Sequence, residues 1–235
     1  MSLPLPPLLL ALLLVAAAPA VQAQSESPSP EATAGLDRGL AALKAGGSEF
    51  YLYPLPQGWT WQAVDRETPY YAMTFLPDGQ PQRGWDDALI LSIHRGEAME
   101  PGDLLGWAER RLATACRDLR RSGMEQGTGA DDWPEAWRLF VCRERLDKSR
   151  GEVRLLRAVQ GESASYLAAR VWRMPVFASG SPVGQSEVQQ ARDLLAEGGP
   201  CLRDSARSAC PLYSAMGLGA LEDAVPYGVF NVRSR

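Results

Sequence analysis

Apolar positions follow two different periods along this chain. From Glu49 to His94 they come in short alternating runs. These are Glu49–Leu55, Gly58–Arg66 with Trp59, Trp61 and Ala63, Tyr70–Leu76, and Asp87–His94 with Leu89, Leu91 and Ile93 on one side. A period of two in runs of this length predicts four strands. The turn Pro77-Asp78-Gly79 closes the third. Over Asp103–Arg121 the period changes. Leu104, Leu105, Ala108, Leu112, Ala115, Cys116 and Leu119 make one helical stripe. Pro101-Gly102 precede it, Asp103 sits where the helix dipole favours an acid, and Gly123 lies past its end. A polar loop, Gly127–Trp133, leads to three more strands at Ala136–Arg145, Glu152–Gln160 and Ser165–Arg173. Turns at Lys148–Gly151 and Gly161–Ser163 separate them. Val188, Ala191, Leu194 and Leu195 predict a second helix over Ser186–Glu197, with Ser186 as N-cap and Gly198-Gly199-Pro200 as its stop. Leu36, Leu40 and Leu43 have helical spacing, which predicts a short helix over Leu36–Lys44.

This order predicts an α+β fold of about six to seven strands in a mostly antiparallel sheet. The main helix and the C-terminal helix are expected to pack on one face, with the other face partly open.

The two ends of the chain read differently. Leu8–Ala18 is an unbroken apolar run of 11 residues, too short to span a bilayer. Pro19 breaks it, and Val21-Gln22-Ala23 gives a small-x-small cleavage pattern. Residues 1–23 therefore read as a signal peptide, although no Lys or Arg precedes the run. The expected mature chain has no transmembrane segment. Residues 24–35 are rich in Ser, Pro and Glu and read as a disordered linker. Residues 36–200 form the expected single domain. Residues 201–235 follow as a disulfide loop and a Gly-rich tail, which either wraps the domain or docks on a partner by strand addition.

Composition narrows the chemistry. There is one histidine, His94, which excludes sites that need two, such as HExxH zinc enzymes. Neither Lys44 nor Lys148 follows a glycine, and there is no GxSxG, SxxK or CxxC. No metal, cofactor or catalytic residue is expected. Arginine supplies 22 of the 24 basic residues, while Lys, Ile and Asn are nearly absent, a bias that points to a high-GC bacterium. The net charge of −4 argues against nucleic acid or an anionic membrane as partner. Four cysteines, an even number in an exported chain, read as disulfides. Three pairings are possible; closeness in sequence favours Cys116 with Cys142 and Cys201 with Cys210. Together these features place the protein in the periplasm or outside the cell.

Several groups carry a candidate role. Aromatic residues crowd the first strands, and Trp59, Trp61, Tyr70 and Tyr71 form a possible ligand face for a sugar ring, glycan or peptide. Core and cross-strand pairing is the competing use of such residues. His94 has Glu97 three residues on, the beginning of an acid–base pair without a nucleophile motif. Asp86-Asp87 and Asp131-Asp132 are adjacent acids; in a strand, neighbours point apart. Arg110, Arg111, Arg117, Arg120 and Arg121 lie mostly off the helical stripe, within reach of Glu109 and Asp118 for local ion pairs.

The run Pro54-Leu55-Pro56-Gln57-Gly58-Trp59, the turn at Leu76–Gly79, and Trp85 before Leu89–Ile93 resemble a group of exported proteobacterial proteins without an assigned activity. So do a Cys-bearing helix, a strand ending in Cys, and Arg157–Gly161 before Tyr166. The likeness covers about residues 49–177. It implies an α+β domain of the Mog1/PsbP type, a non-catalytic binding fold. The expected function is a non-catalytic binding or accessory protein of the bacterial envelope, with an envelope protein or glycan as partner. Two alternatives stand beside it. One is a component of a secretion or surface assembly that docks through its tail; the other is a carboxylate-dependent envelope hydrolase.

Overall fold

The computed structural model describes residues 38–46, 49–67, 70–96, 98–129, 132–146, 150–202 and 227–232. The expected signal peptide and linker, Glu97, Asp131, Cys210 and most of the tail lie outside these residues. Chain contacts separate Met1–Gly35 from Leu36–Arg235. All that follows concerns the second part.

Twelve strands are described. They are β1 (Arg38–Gly46), β2 (Glu49–Pro54), β3 (Trp59–Glu67), β4 (Tyr70–Pro77), β5 (Asp87–Arg95), β6 (Leu119–Arg121), β7 (Glu125–Thr128), β8 (Pro134–Cys142), β9 (Arg150–Gln160), β10 (Ala164–Pro175), β11 (Gly199–Leu202) and β12 (Tyr227–Val232). Two helices, α1 (Pro101–Ala113) and α2 (Gln185–Ala196), complete the described residues. The fold is α+β and its strand pairings are antiparallel. An eight-stranded sheet runs β3-β4-β5-β10-β9-β8-β6, with β7 also on β8. A separate four-stranded sheet runs β11-β2-β1-β12. No described helix is long and apolar enough to cross a membrane.

The larger sheet is apolar on both faces. On β10, Leu167, Ala169 and Val171 pack with α1 residues Leu104, Leu105, Ala108 and Leu112. The intervening Tyr166 and Ala168 pack with Ala191 and Leu195 of α2 and with Tyr51 and Tyr53 of β2. Since successive strand side chains point to opposite faces, the helices lie on opposite sides. This corrects the expectation of both helices on one face. The face expected to be partly open carries α2 and the four-stranded sheet.

Three local expectations also change. Leu36–Lys44 was expected to be helical, but Arg38–Gly46 is strand β1, paired on both edges with β2 and β12. The main helix stops at Ala113 rather than Arg121. Thr114 and Ala115 donate back to Arg110 and Leu112, closing the last turn. Cys116 then leaves the helix to bridge Arg145 and to bond Cys142, and Leu119–Arg121 pairs with β8. Finally, Gly127-Thr128, at the start of the expected polar loop, belongs to β7.

The turn after β4 is built as its residues demand. Gln80 N–H donates to the Pro77 carbonyl at 3.2 Å, and Gly79 takes φ 82°, which a side chain disfavours. The Cys116–Cys142 disulfide ties the end of α1 to the end of β8. Closing a loop of this length contributes roughly 3 kcal/mol by restricting the unfolded chain. Cys201 is also disulfide-bonded.

Candidate functional site

α1 packs over β8, β9 and β10, and so leaves part of the same face uncovered toward β3 and β4. A cleft of about 400 Å³ occupies that gap. Trp107, Arg111 and Leu112 of α1, with Ala115 just past its end, form one side; Tyr70, Ile90, Ser92, Leu156, Leu167 and Ala169 rise from the sheet. Small residues at Ser92, Ala115 and Ala169 leave the room. Arg145 and Arg154 line the cleft as well, with exposed Asp65.

One carboxylate organises the cations. Glu152 is 2% exposed and accepts from Arg145 Nη1 at 3.1 Å, from Arg173 Nε at 2.9 Å and from Arg154 Nε. Burial alone would raise its carboxyl; the guanidiniums outweigh this and hold it below its ordinary value. Arg154 uses only Nε on Glu152, and its two terminal nitrogens make no hydrogen bond among the described residues.

Beside the arginines stands an aromatic group. Tyr70 lies 5.4 Å from Trp107 and 5.0 Å from His94, centroid to centroid. His94 meets Trp107 edge-on at 4.2 Å. The Arg111 guanidinium lies 5.5 Å from the Tyr70 centroid and 5.1 Å from that of Trp107. Burial raises the Tyr70 phenol above its ordinary value, against the pull of Arg111 and Arg154. Burial, then the charge of Arg111, lowers His94 to about 4, so the imidazole is neutral at pH 7. Its Nε2 is buried without a hydrogen-bond partner among the described residues.

A second cleft, of about 410 Å³, opens on the opposite face between α2 and the sheet. Trp59, Asp87, Arg170 and Trp172 meet Glu187, Gln190, Ala191 and Leu194 there. Arg170 pairs with Asp87 and lies 4.2 Å from the Trp59 ring centroid. Its charge is thus matched within the cleft.

The four aromatic residues singled out in the sequence divide between these places. Tyr70 belongs to the first cleft and Trp59 to the second. Trp61 is 48% exposed, and Tyr71 lies against Arg95 at 4.8 Å. Of the arginines off the helical stripe, Arg121 pairs with Glu109 and Arg120 with Asp118, as expected, and Arg117 pairs with Glu144. Arg111 is the one that turns to the cleft. Sequence reasoning missed Trp107, Arg145 and Arg154. Trp107 stands next to a stripe residue, and Arg154 alternates with apolar residues along β9, as a polar residue on a water-facing side would.

No protein-family model matches the chain, and no curated protein sequence does. Solved structures similar to it include the following two. LpqN of Mycobacterium tuberculosis, described as involved in cell envelope biogenesis, matches with a TM-score of 0.40 and 16% identity, over 69% of this chain and 90% of LpqN. The Saccharomyces cerevisiae Ran-binding protein Mog1p matches with a TM-score of 0.37 and 8% identity, over 66% of this chain and 83% of Mog1p. The second is of the Mog1 type that the sequence resembles. Likeness at this level carries no functional information.

Proposed function

We propose that the protein is a non-catalytic binding or accessory module of the bacterial envelope, and that it holds its ligand in the cleft between α1 and the larger sheet. The observation that carries this reading is the cleft itself. Its volume of about 400 Å³ lies in the range of small-molecule sites, and it joins an apolar and aromatic lining to a few polar groups. Its acid–base chemistry is poor. His94 is 8% exposed, and Glu152 is committed to three arginines. The disulfides fit an oxidising compartment outside the cytoplasm.

Native mass spectrometry of the exported protein, incubated with a small-molecule extract of the envelope, tests the reading. The expected result is a bound species of unchanged mass on wild type, lost when Ala115→Trp fills the cleft. Recovery of a chemically altered compound, dependent on one cleft residue, overturns the non-catalytic reading. Equal capture by the filled variant overturns the choice of cleft.

A further inference from the structure

We infer that the ligand of the α1 cleft is an amphiphilic anion: an acidic group, carboxylate, sulfonate or phosphate, carried on an apolar body. The inference rests on the cleft being the binding site and adds the chemistry of what fills it. Three observations support it. First, Arg145, Arg154 and Arg173 converge on the single carboxylate of Glu152, and Arg154 does so through Nε alone. A guanidinium offers five donors in a planar fork, and the unused end of this fork matches two oxygens of one acid. Second, Arg154 is 21% exposed on its side chain, so an arriving group can reach it while water is partly shut out. A charge pair there is stronger than one on the open surface. Third, Arg111 spreads over the rings of Tyr70 and Trp107. This holds a second cation at the aromatic end, where Leu112 and Ile90 provide apolar surface.

Asp65 also lines the cleft and opposes an anion, but it is exposed to water, where salt screens it. In the second cleft the end of the fork is already engaged, since Arg170 pairs with Asp87 through Nη2.

The test compares two fluorescent probes with the same carbon skeleton, anilinonaphthalene sulfonate and phenyl-naphthylamine. Only the first carries an acid. Fluorescence titration of the full chain is expected to show the sulfonate binding at least about tenfold tighter than the neutral probe, as a charge-assisted pair implies. Arg154→Gln should weaken the sulfonate by about tenfold and leave the neutral probe within about twofold. Arg145 and Arg173 still hold Glu152 in that variant. Should its thermal midpoint nevertheless fall, exposed Arg111→Gln carries the same test. Ala115→Trp should expel both probes. Equal affinity for both probes, unmoved by either arginine variant, overturns the anion and leaves the cleft as the site. Binding of both probes to Ala115→Trp at wild-type strength overturns the cleft. Co-sedimentation with phosphatidylglycerol vesicles, lost in Arg154→Gln, assigns the anion to a lipid headgroup. Sulfonate binding without co-sedimentation assigns it to a free molecule.

Discussion

His94 shows how one residue imposes a pH dependence. Its ring is 8% exposed, lies edge-on to Trp107, and leaves Nε2 unpaired among the described residues. Burial, with Arg111 nearby, lowers it from 6.5 to about 4. Between those values the unfolded chain takes up a proton that the native protein refuses. Stability from this group is therefore complete above about pH 6.5, falls as pH drops toward 4, and is level below. The swing is up to about 3 kcal/mol. Urea unfolding of wild type and His94→Phe at pH 7 and pH 4.5 checks it; the variant should lose less stability on acidification, the carboxylates being common to both. Equal losses would refute the assignment. Glu49 makes a different point. It is 2% exposed, and accepts from Tyr166 Oη at 2.8 Å and from Ser163 N and Oγ at 2.6 Å each. Gly161 stands beside it because any side chain there would meet the carboxylate. Nothing near Glu49 in the sequence announces this, since its partners are more than a hundred residues away. Alternation marks which apolar residues face inward; it does not reveal a buried acid that depends on distant donors.

Among the elements, α2 depends most visibly on a residue outside itself. Arg157 of β9 is 2% exposed; it donates to the Leu195 carbonyl at 2.9 Å and to that of Gly198, and pairs with Glu135 at 2.7 Å. Tyr53 Oη donates to the Leu194 carbonyl at 3.0 Å. A cation at a helix C-terminus satisfies carbonyls that have no partner within the helix and opposes the dipole. Replacing Arg157 by Met leaves Glu135 without its cation, held among the described residues only by Trp137 Nε1–H at 2.8 Å, and leaves those carbonyls without this donor, which costs about 3–5 kcal/mol. Hydrogen exchange should then show the last turn of α2 losing protection before β8–β10. Uniform loss across the sheet would mean that Arg157 supports the whole core instead. The start of α2 was legible from local signals: Glu187 Oε2 accepts from Gly184 N–H at 2.9 Å, although Gly184 rather than Ser186 is the cap. β3–β5 and β8–β10 were legible through their period of two. β1 was not. Its leucine spacing and alanines favour a helix locally, and pairing on both edges overrides that preference. The end of α1 was missed for a similar reason. Cys116 and Leu119 fit a helical stripe, but the bond to Cys142 and the edge of β8 draw them out of it.

At the scale of the molecule, the true layering shows in burial and not in the sequence pattern, because Glu152 and Arg157 of β9 are buried together with its apolar residues. β9 buries nearly every residue between Gly151 and Val159, which is the mark of a sheet covered on both faces, not of one with an open side. What covers the second face could not be read from the sequence, because the four-stranded sheet joins β1 and β2 to β11 and β12 from the far end of the chain. β12 pairs with β1 from Arg38↔Val232 to Leu43↔Tyr227. Removing residues 227–235 leaves β1 held by β2 but bares its outer edge. An unpaired edge is a template for another chain. The truncated protein should therefore remain folded, melt lower, and associate as its concentration rises. Each kcal/mol lost would show as about 2–4 °C in the midpoint. Size-exclusion chromatography over a concentration series, with thermal unfolding, tests both effects. An unchanged midpoint and a monomer at all concentrations would mean that β12 adds nothing to the fold, and would favour the tail as a segment for docking on a partner. The α1 cleft provides the internal control. It lies on the face of the larger sheet opposite the four-stranded sheet, so the truncated chain should bind the sulfonate probe with wild-type affinity. Lost edge pairing combined with retained binding would separate the strand that closes the fold from the surface proposed to bind the ligand.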